Sequence, residues 1–175
     1  LSQNTRHTAH GVYNCCLLSE KLHDTDPELS ERVLEEAKWG LDWLLKTRFG
    51  DGYRVYWATM DFWTDGIIGT ADDRSTVVPR ETMGASFDLA SLNFHGARAQ
   101  AKAATLLMDN DPIFADYALK CAKEDWDFGT ENIDEMNLAI ASIALNASLS
   151  LYEATKDDKY KGAAISYGDY IVQCQ

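Results

Sequence analysis

The sequence predicts an all-α chain made of three consecutive helical hairpins. Three observations predict this. An internal repeat sets Asp26-Pro27, Ala37-Lys38 and Asp42-Trp43 at the same offsets as Asp111-Pro112, Ala122-Lys123 and Asp127-Phe128. Three stretches rich in small residues each run through a short acidic turn (HDTDP, MDNDP, KDDKY) into a second helical segment. Apolar residues recur at helical spacing throughout, forming stripes that need a partner helix to cover them.

Taken in order, residues 8–22 form the first helix of the first hairpin, and Asp26-Pro27 opens its partner. Asp26 can cap the first turn, and Pro27 sits where a missing N–H is tolerated. Leu29, Val33, Ala37, Leu41 and Leu44 lie on one stripe of that partner. In the second hairpin residues 82–107 are the first helix, carrying Ala97, Ala99, Ala101, Ala103 and Ala104. Asp111-Pro112 opens the partner, whose stripe is Ala115, Leu119, Ala122 and Trp126. The third hairpin begins with residues 134–155, where Glu135 is placed to favour the helix start and Glu131 one turn earlier. Short connections imply antiparallel neighbours. The alanine-rich first helices suit a tightly packed inner layer, and their more charged partners an outer one.

At 175 residues the chain is long enough for one core, and it reads as a single helical-hairpin domain over 1–175. The formal net charge of −12 excludes nucleic acid as a partner, because phosphate contacts need clustered Lys and Arg. The acidity is read as a solvated outer face. Apolar runs are interrupted by charge short of the roughly 20 residues that a bilayer requires, so no membrane span is expected. Cys15, Cys16, Cys121 and Cys174 have no CxxC spacing and read as buried thiols, with a Cys121–Cys174 bridge as the alternative. The sequon at Asn146 lies mid-helix and is read as chance.

One segment interrupts the pattern. Residues 49–81 hold glycines, a β-prone YRVYW run, Trp57, Phe62 and Trp63, and an acidic cluster. Long loops on a helical scaffold tend to carry function, and aromatic platforms beside Asp and Arg suit sugar recognition. The opposing reading is that the aromatics only fold the loop onto the scaffold. Asp61, Asp65, Asp72 and Asp73 match no EF-hand spacing and read as solvated carboxylates, so no metal is expected. Nor does the sequence call for a cofactor.

Four runs carry a family resemblance, spread over about 140 residues. LYEATKDDKY resembles the "Leu-Tyr-x-Ala-Thr-Gly-Asp-x-x-Tyr" signature of glycoside hydrolase family 9, the inverting, endoglucanase-type enzymes. AKWGLDWLLKTRFGDGYRVYW is similar to that family's Trp-Gly-x-Asp-Trp-Leu-Leu helix and following Val-Tyr-His strand. DNDPIFADYALKCAKEDWDF and YGDYIVQCQ resemble two further helices. The resemblance implies an (α/α) toroid or barrel, with about three of six hairpins present. It also implies a cleft at the inner-helix N-termini and inter-hairpin loops, which brings Arg6, His7, Tyr56, Trp57, Trp63 and Arg80 forward as substrate-binding residues. Trp57 stands where the family has His, exchanging a polar contact for a stacking one. His10 and His95, within helices, read instead as packed, hydrogen-bonded core residues.

The departures concern catalysis. Inverting hydrolysis needs two carboxyl groups roughly 6.5–9.5 Å apart, one protonated and one ionised to activate water. Alignment on the family puts its Asp-Ala-Gly-Asp base motif at or before the first residues, with Ser2 near the second Asp. The family's acidic Glu falls beyond the position of Gln175. The expectation is therefore part of a sugar cleft without the catalytic pair: catalytic residues unknown, an oligo- or polysaccharide as ligand, and the remaining half of the barrel as partner. By resemblance the protein is secreted or periplasmic. Two alternatives stay open: a polysaccharide lyase or sugar epimerase on the same toroid, using His7, Arg6, Tyr56 and Arg80, and a non-catalytic helical-repeat scaffold.

Overall fold

The computed structural model describes residues 2–59 and 83–174. Six helices follow one another as α1 (Thr5–Leu22), α2 (Pro27–Lys46), α3 (Ala90–Leu107), α4 (Pro112–Glu131), α5 (Leu138–Thr155) and α6 (Asp158–Gln173). They pair as α1–α2, α3–α4 and α5–α6, while α1, α3 and α5 also pack side by side. The result is a double layer of hairpins, with the alanine-rich helices inside.

Local chemistry accounts for the repeat. The Asp26 carboxylate accepts from the backbone N–H of Leu29 at 3.1 Å, and Asp111 accepts from that of Phe114 at 3.4 Å. Pro27 and Pro112 occupy the first turns of the helices that these aspartates cap. Lys38 of the first copy then pairs with Asp111 of the second at 2.8 Å, joining one hairpin to the next.

The alanines explain the inner layer. Ala97 and Ala101 of α3 lie in one core cluster with Ala144 and Ala147 of α5, while Ala99, Ala103 and Ala104 lie in another with Ala9 and Ala37. Because α3 borders both clusters it is buried almost all round, and small side chains let its neighbours approach. Trp126 of α4 fills the space over α5. Its indole N–H donates to Ser148 Oγ at 2.8 Å, and its ring meets Tyr160 edge-on.

Several sequence expectations change. The helix predicted from residue 82 starts at Ala90, because Met83–Phe87 is a strand. A three-stranded antiparallel sheet, β1 (Ser2–Gln3), β2 (Arg54–Thr59) and β3 (Met83–Phe87) in that order, sits beside the helices, so the excursion after residue 49 opens as a β-hairpin arm. On α2 the buried stripe starts with Ser30 and Ala37. Leu29 is exposed, because Ser30 meets Ser19 of α1 through paired hydroxyls at 3.0 Å. The cap of α5 is Asn137, whose side chain accepts from both Ala139 N and Ile140 N. Glu135 lies in the bend before it, and Glu131 ends α4.

The Cys121–Cys174 bridge does not form. Cys121 is buried at 3.4 Å from the Arg48 guanidinium, and Cys174 is exposed after α6. Burial pushes the Cys16 thiol up to about 12. Helix α5, against expectation, is long and apolar enough by length and composition to cross a membrane. Here α3, α4 and α6 pack against it, and Ala141, Ala144, Ala147 and Leu151 are buried.

Candidate functional site

The N-terminal halves of the three inner helices and the sheet enclose a concavity of about 730 Å³, a size that suits a small ligand or a few sugar rings. Helix α1 contributes Arg6, His7 and His10, α3 contributes Ser91, His95 and Arg98, and α5 contributes Ser142, Ile143 and Asn146. Tyr56 of β2 stands at the lip.

Each wall is fixed by local bonds. Asn4 caps α1 by accepting from His7 N at 2.7 Å, and its side-chain amide lies 2.9 Å from His7 Nδ1. Thr5 Oγ1 donates to the Val55 carbonyl at 2.6 Å, tying the start of α1 to β2. Tyr56 owes its position to a bulge: Val55 pairs with Ser86 and Trp57 with Ala85, leaving Tyr56 as the extra residue on its strand. Such a bulge re-aims a side chain. The Tyr56 ring meets Phe87 edge-on, with centroids 5.3 Å apart.

Strand β2 is anchored from behind by Arg54, which is fully buried. Its guanidinium donates to the Leu44 carbonyl at 3.1 Å and to Gln100 Oε1 at 2.9 Å, and it is ion-paired with Asp125. Arg48 completes the cluster with a bond to the other Asp125 oxygen at 3.1 Å. The GDG turn before β2 holds Asp51 and Gly52 at φ 58° and 76°. A Cβ on Gly52 would lie 2.2 Å from the Phe128 ring, so both the turn and the packing require glycine there.

The electrostatics of the concavity are one-sided. Two arginines and three histidines line it, and among its described lining residues there is no Asp or Glu. The rings of His10 and His95 lie 4.9 Å apart. Burial, with Arg98 and then His10 as neighbours, lowers the pKa of His95 to about 3; burial, Arg98 and Arg6 lower that of His10. Both rings are therefore neutral at pH 7. Arg98 is 6% exposed and stacks over the Tyr13 ring at 4.4 Å.

Of the residues that the sequence brings forward, Arg6, His7 and Tyr56 come together here. The backbone of Trp57 lies in β2, but its ring lies outside the described residues, as do Trp63, Arg80 and the acidic positions 61, 65, 72 and 73. His10 and His95 line the concavity rather than the hydrophobic core, and among the described residues His95 Nδ1 has no hydrogen-bond partner. Arg98 joins the lining without having been singled out, and Asn146, read from the sequence as a chance sequon, lines it too. The signal for Arg98 was the run Ala-Arg-Ala-Gln-Ala-Lys-Ala, where three polar side chains interrupt a helix too buried to carry them without a purpose.

Comparison with known proteins places this architecture. No curated protein sequence matches the chain. Among solved structures, the endoglucanase of the termite Nasutitermes takasagoensis superposes with a TM-score of 0.76 at 17% identity, covering 97% of this chain and 42% of that one. The cellulase Cel9M of C. cellulolyticum gives a TM-score of 0.71 at 16% identity, covering 95% and 42%. The endoglucanase CelQ of Clostridium thermocellum, solved with cellotetraose, gives 0.62 at 22% identity, covering 89% and 27%. The chain thus spans less than half the length of each, and at these identities the likeness shows the fold: hairpins of an (α/α) barrel. A sequence model for Glycosyl hydrolase family 9 matches residues 4–172, nearly the whole chain, and the protein belongs to that family.

Proposed function

We propose that this chain forms one glycan-binding wall of a family 9 glycoside hydrolase, acting on a β-glucan or related polysaccharide by inverting hydrolysis in the complete barrel. The observation that carries the reading is the concavity at the inner-helix N-termini, with Tyr56 aimed across its lip by a bulge. Arg6, His7 and Tyr56 line it and serve as binding residues, and the family resemblance adds Trp57, Trp63 and Arg80 as further binding candidates. The lining supplies hydrogen-bond donors and an aromatic edge, the groups a sugar ring needs. The paired carboxylates of inverting hydrolysis are not among the described lining residues, so the chain's own part in this reading is binding. Residues 1–175 act as one helical-hairpin domain that meets the rest of the barrel, in a protein that is secreted or periplasmic. The family match takes weight from the lyase, epimerase and scaffold alternatives.

Calorimetric titration with cello-oligosaccharides tests this. Binding that weakens about ten-fold in Tyr56→Ala, as loss of one stacking or hydrogen-bonding anchor implies, supports the reading. Absence of heat with every glycan, from a folded sample, would overturn it.

A further inference from the structure

The inner face of α3 carries two buried cations one helical turn apart, Arg98 and Lys102. Lys102 is matched: its ammonium donates to Glu20 at 2.7 Å and to Glu153 at 3.3 Å. Burial opposes its charge, and the two carboxylates outweigh that and raise its pKa. Among the described residues no carboxylate pairs with Arg98. Its Nε and Nη2 are buried with no hydrogen-bond partner among them, burial lowers its pKa, and its guanidinium lies over the Tyr13 ring.

A guanidinium keeps its charge in proteins, and an unpaired buried charge is costly unless something completes it. Helix α3 therefore meets the desolvation of one cation with carboxylates from its neighbours and leaves the other facing the concavity. There His95, also more than nine-tenths buried, adds an unpartnered Nδ1, and His10, Arg6 and His7 continue the same sign. Among the described residues no carboxylate answers them, in a chain whose formal net charge is −12.

We propose that this concavity receives an anionic group of the glycan, the carboxylate of a uronic acid or a sulfate ester, with Arg98 as its ion-pairing partner and His95 and His10 beside it. The inference rests on the glycan-binding reading above and names the class of sugar it would take. The planar fork of Arg98 is suited to two parallel bonds to such a group. Tyr13 holds the fork by stacking without consuming its donors. Ser142 and Asn146 of α5 line it too; Ser142 Oγ donates to the Leu138 carbonyl and Asn146 Nδ2 to that of Ser142, which leaves their oxygens and the second amide N–H for the sugar's hydroxyls.

The test uses the 175-residue chain with three probes at matched ionic strength: cellotetraose, a β-1,4-linked tetraglucuronate and sodium sulfate. Calorimetry gives affinity, and histidine ring spectra across pH 4–8 report on His10 and His95. The expected result is binding of the tetraglucuronate about ten-fold tighter than of cellotetraose, the size of one charge-assisted contact. An upward shift of the His10 and His95 titrations accompanies it, since a bound anion stabilises the imidazolium. In Arg98→Gln the ten-fold preference disappears, and Arg98→Lys recovers part of it. Equal affinity for the two tetrasaccharides overturns this inference and leaves the glycan reading standing. Sulfate that shifts both histidines through Arg98, with no glycan bound, overturns the glycan reading and keeps an anion site. No response to any of the three overturns both.

Discussion

Gly96 lies directly under the guanidinium of Arg54: a Cβ added to the glycine would sit 2.6 Å from Arg54 Cζ. The arginine cannot yield, because Leu44, Gln100 and Asp125 hold it from three sides. Gly96→Ala is therefore expected to destabilise the fold by about 1–3 kcal/mol through overpacking, despite the roughly 1 kcal/mol by which Ala is favoured in a helix. Urea unfolding monitored by circular dichroism checks this. A midpoint at or above that of the parent chain would show that Arg54 has room to move.

Among the described residues Asp125 is the acidic partner of the buried Arg54, and it also accepts from Arg48. Asp125→Asn leaves a fully buried guanidinium without its counter-charge, which costs about 3–5 kcal/mol when one partner of a buried pair is removed. Because Arg54 anchors β2, the β-hairpin arm should loosen as well. Faster amide exchange at Val55 and Tyr56, beyond what global unfolding predicts, is the expected signature.

Ser148 accepts the indole N–H of Trp126 at 2.8 Å within the α4–α5 contact. Ser148→Ala leaves that N–H buried and unsatisfied, at a cost of about 1–3 kcal/mol. Tryptophan fluorescence through a denaturant titration measures it. Ser148→Thr, which keeps the hydroxyl, is expected to lose less.

Lys156 closes α5 at φ 58°, in the left-handed region. It occupies the place that the family signature gives to glycine, so a side chain stands where none is favoured. Lys156→Gly is expected to stabilise by about 0.5–1 kcal/mol, seen as a higher thermal midpoint. A lower midpoint would mean that the contact of its ammonium with the Tyr152 ring, 5.8 Å to centroid, outweighs the backbone strain.

His95 sets a pH dependence whose sign is determined. Its folded pKa of about 3 lies below the ordinary value of 6.5, because burial and Arg98 disfavour the imidazolium. Above pH 6.5 the ring is neutral in both folded and unfolded chains and makes no difference. As pH falls from 6.5 toward 3 the unfolded chain takes up a proton that the folded one refuses, so stability drops by about 1.4 kcal/mol per pH unit. His10, lowered for the same reasons, adds to the slope. In His95→Gln the decline over this window should flatten.

Much of this architecture was readable before any coordinates. The helix starts at Asp26-Pro27 and Asp111-Pro112 depend on side chains reaching their own first turn, and the pairing within each hairpin depends on a turn of a few residues. Interactions that short leave their pattern in consecutive residues. So does the inner layer, since a helix buried on nearly every side can only be built from small residues. The runs LYEATKDDKY and AKWGLDWLLK carried the family for the same reason.

The site was less legible. Arg6, His7 and Tyr56 could be brought forward by resemblance, but His10, His95 and Arg98 come from helices far apart in the chain, and they meet only because α1 packs on α3. Nothing in the sequence distinguishes Arg98 from Lys102 four residues on. Both are cations in an alanine-rich helix, and Glu20 and Glu153 reach only the second. The sequence by itself determined the helices, their pairing and the family. Which buried charges are answered within the chain, and which face a cavity, was decided by the tertiary structure alone, because Coulombic and hydrogen-bond complementarity depends on distances between side chains that chain order does not contain.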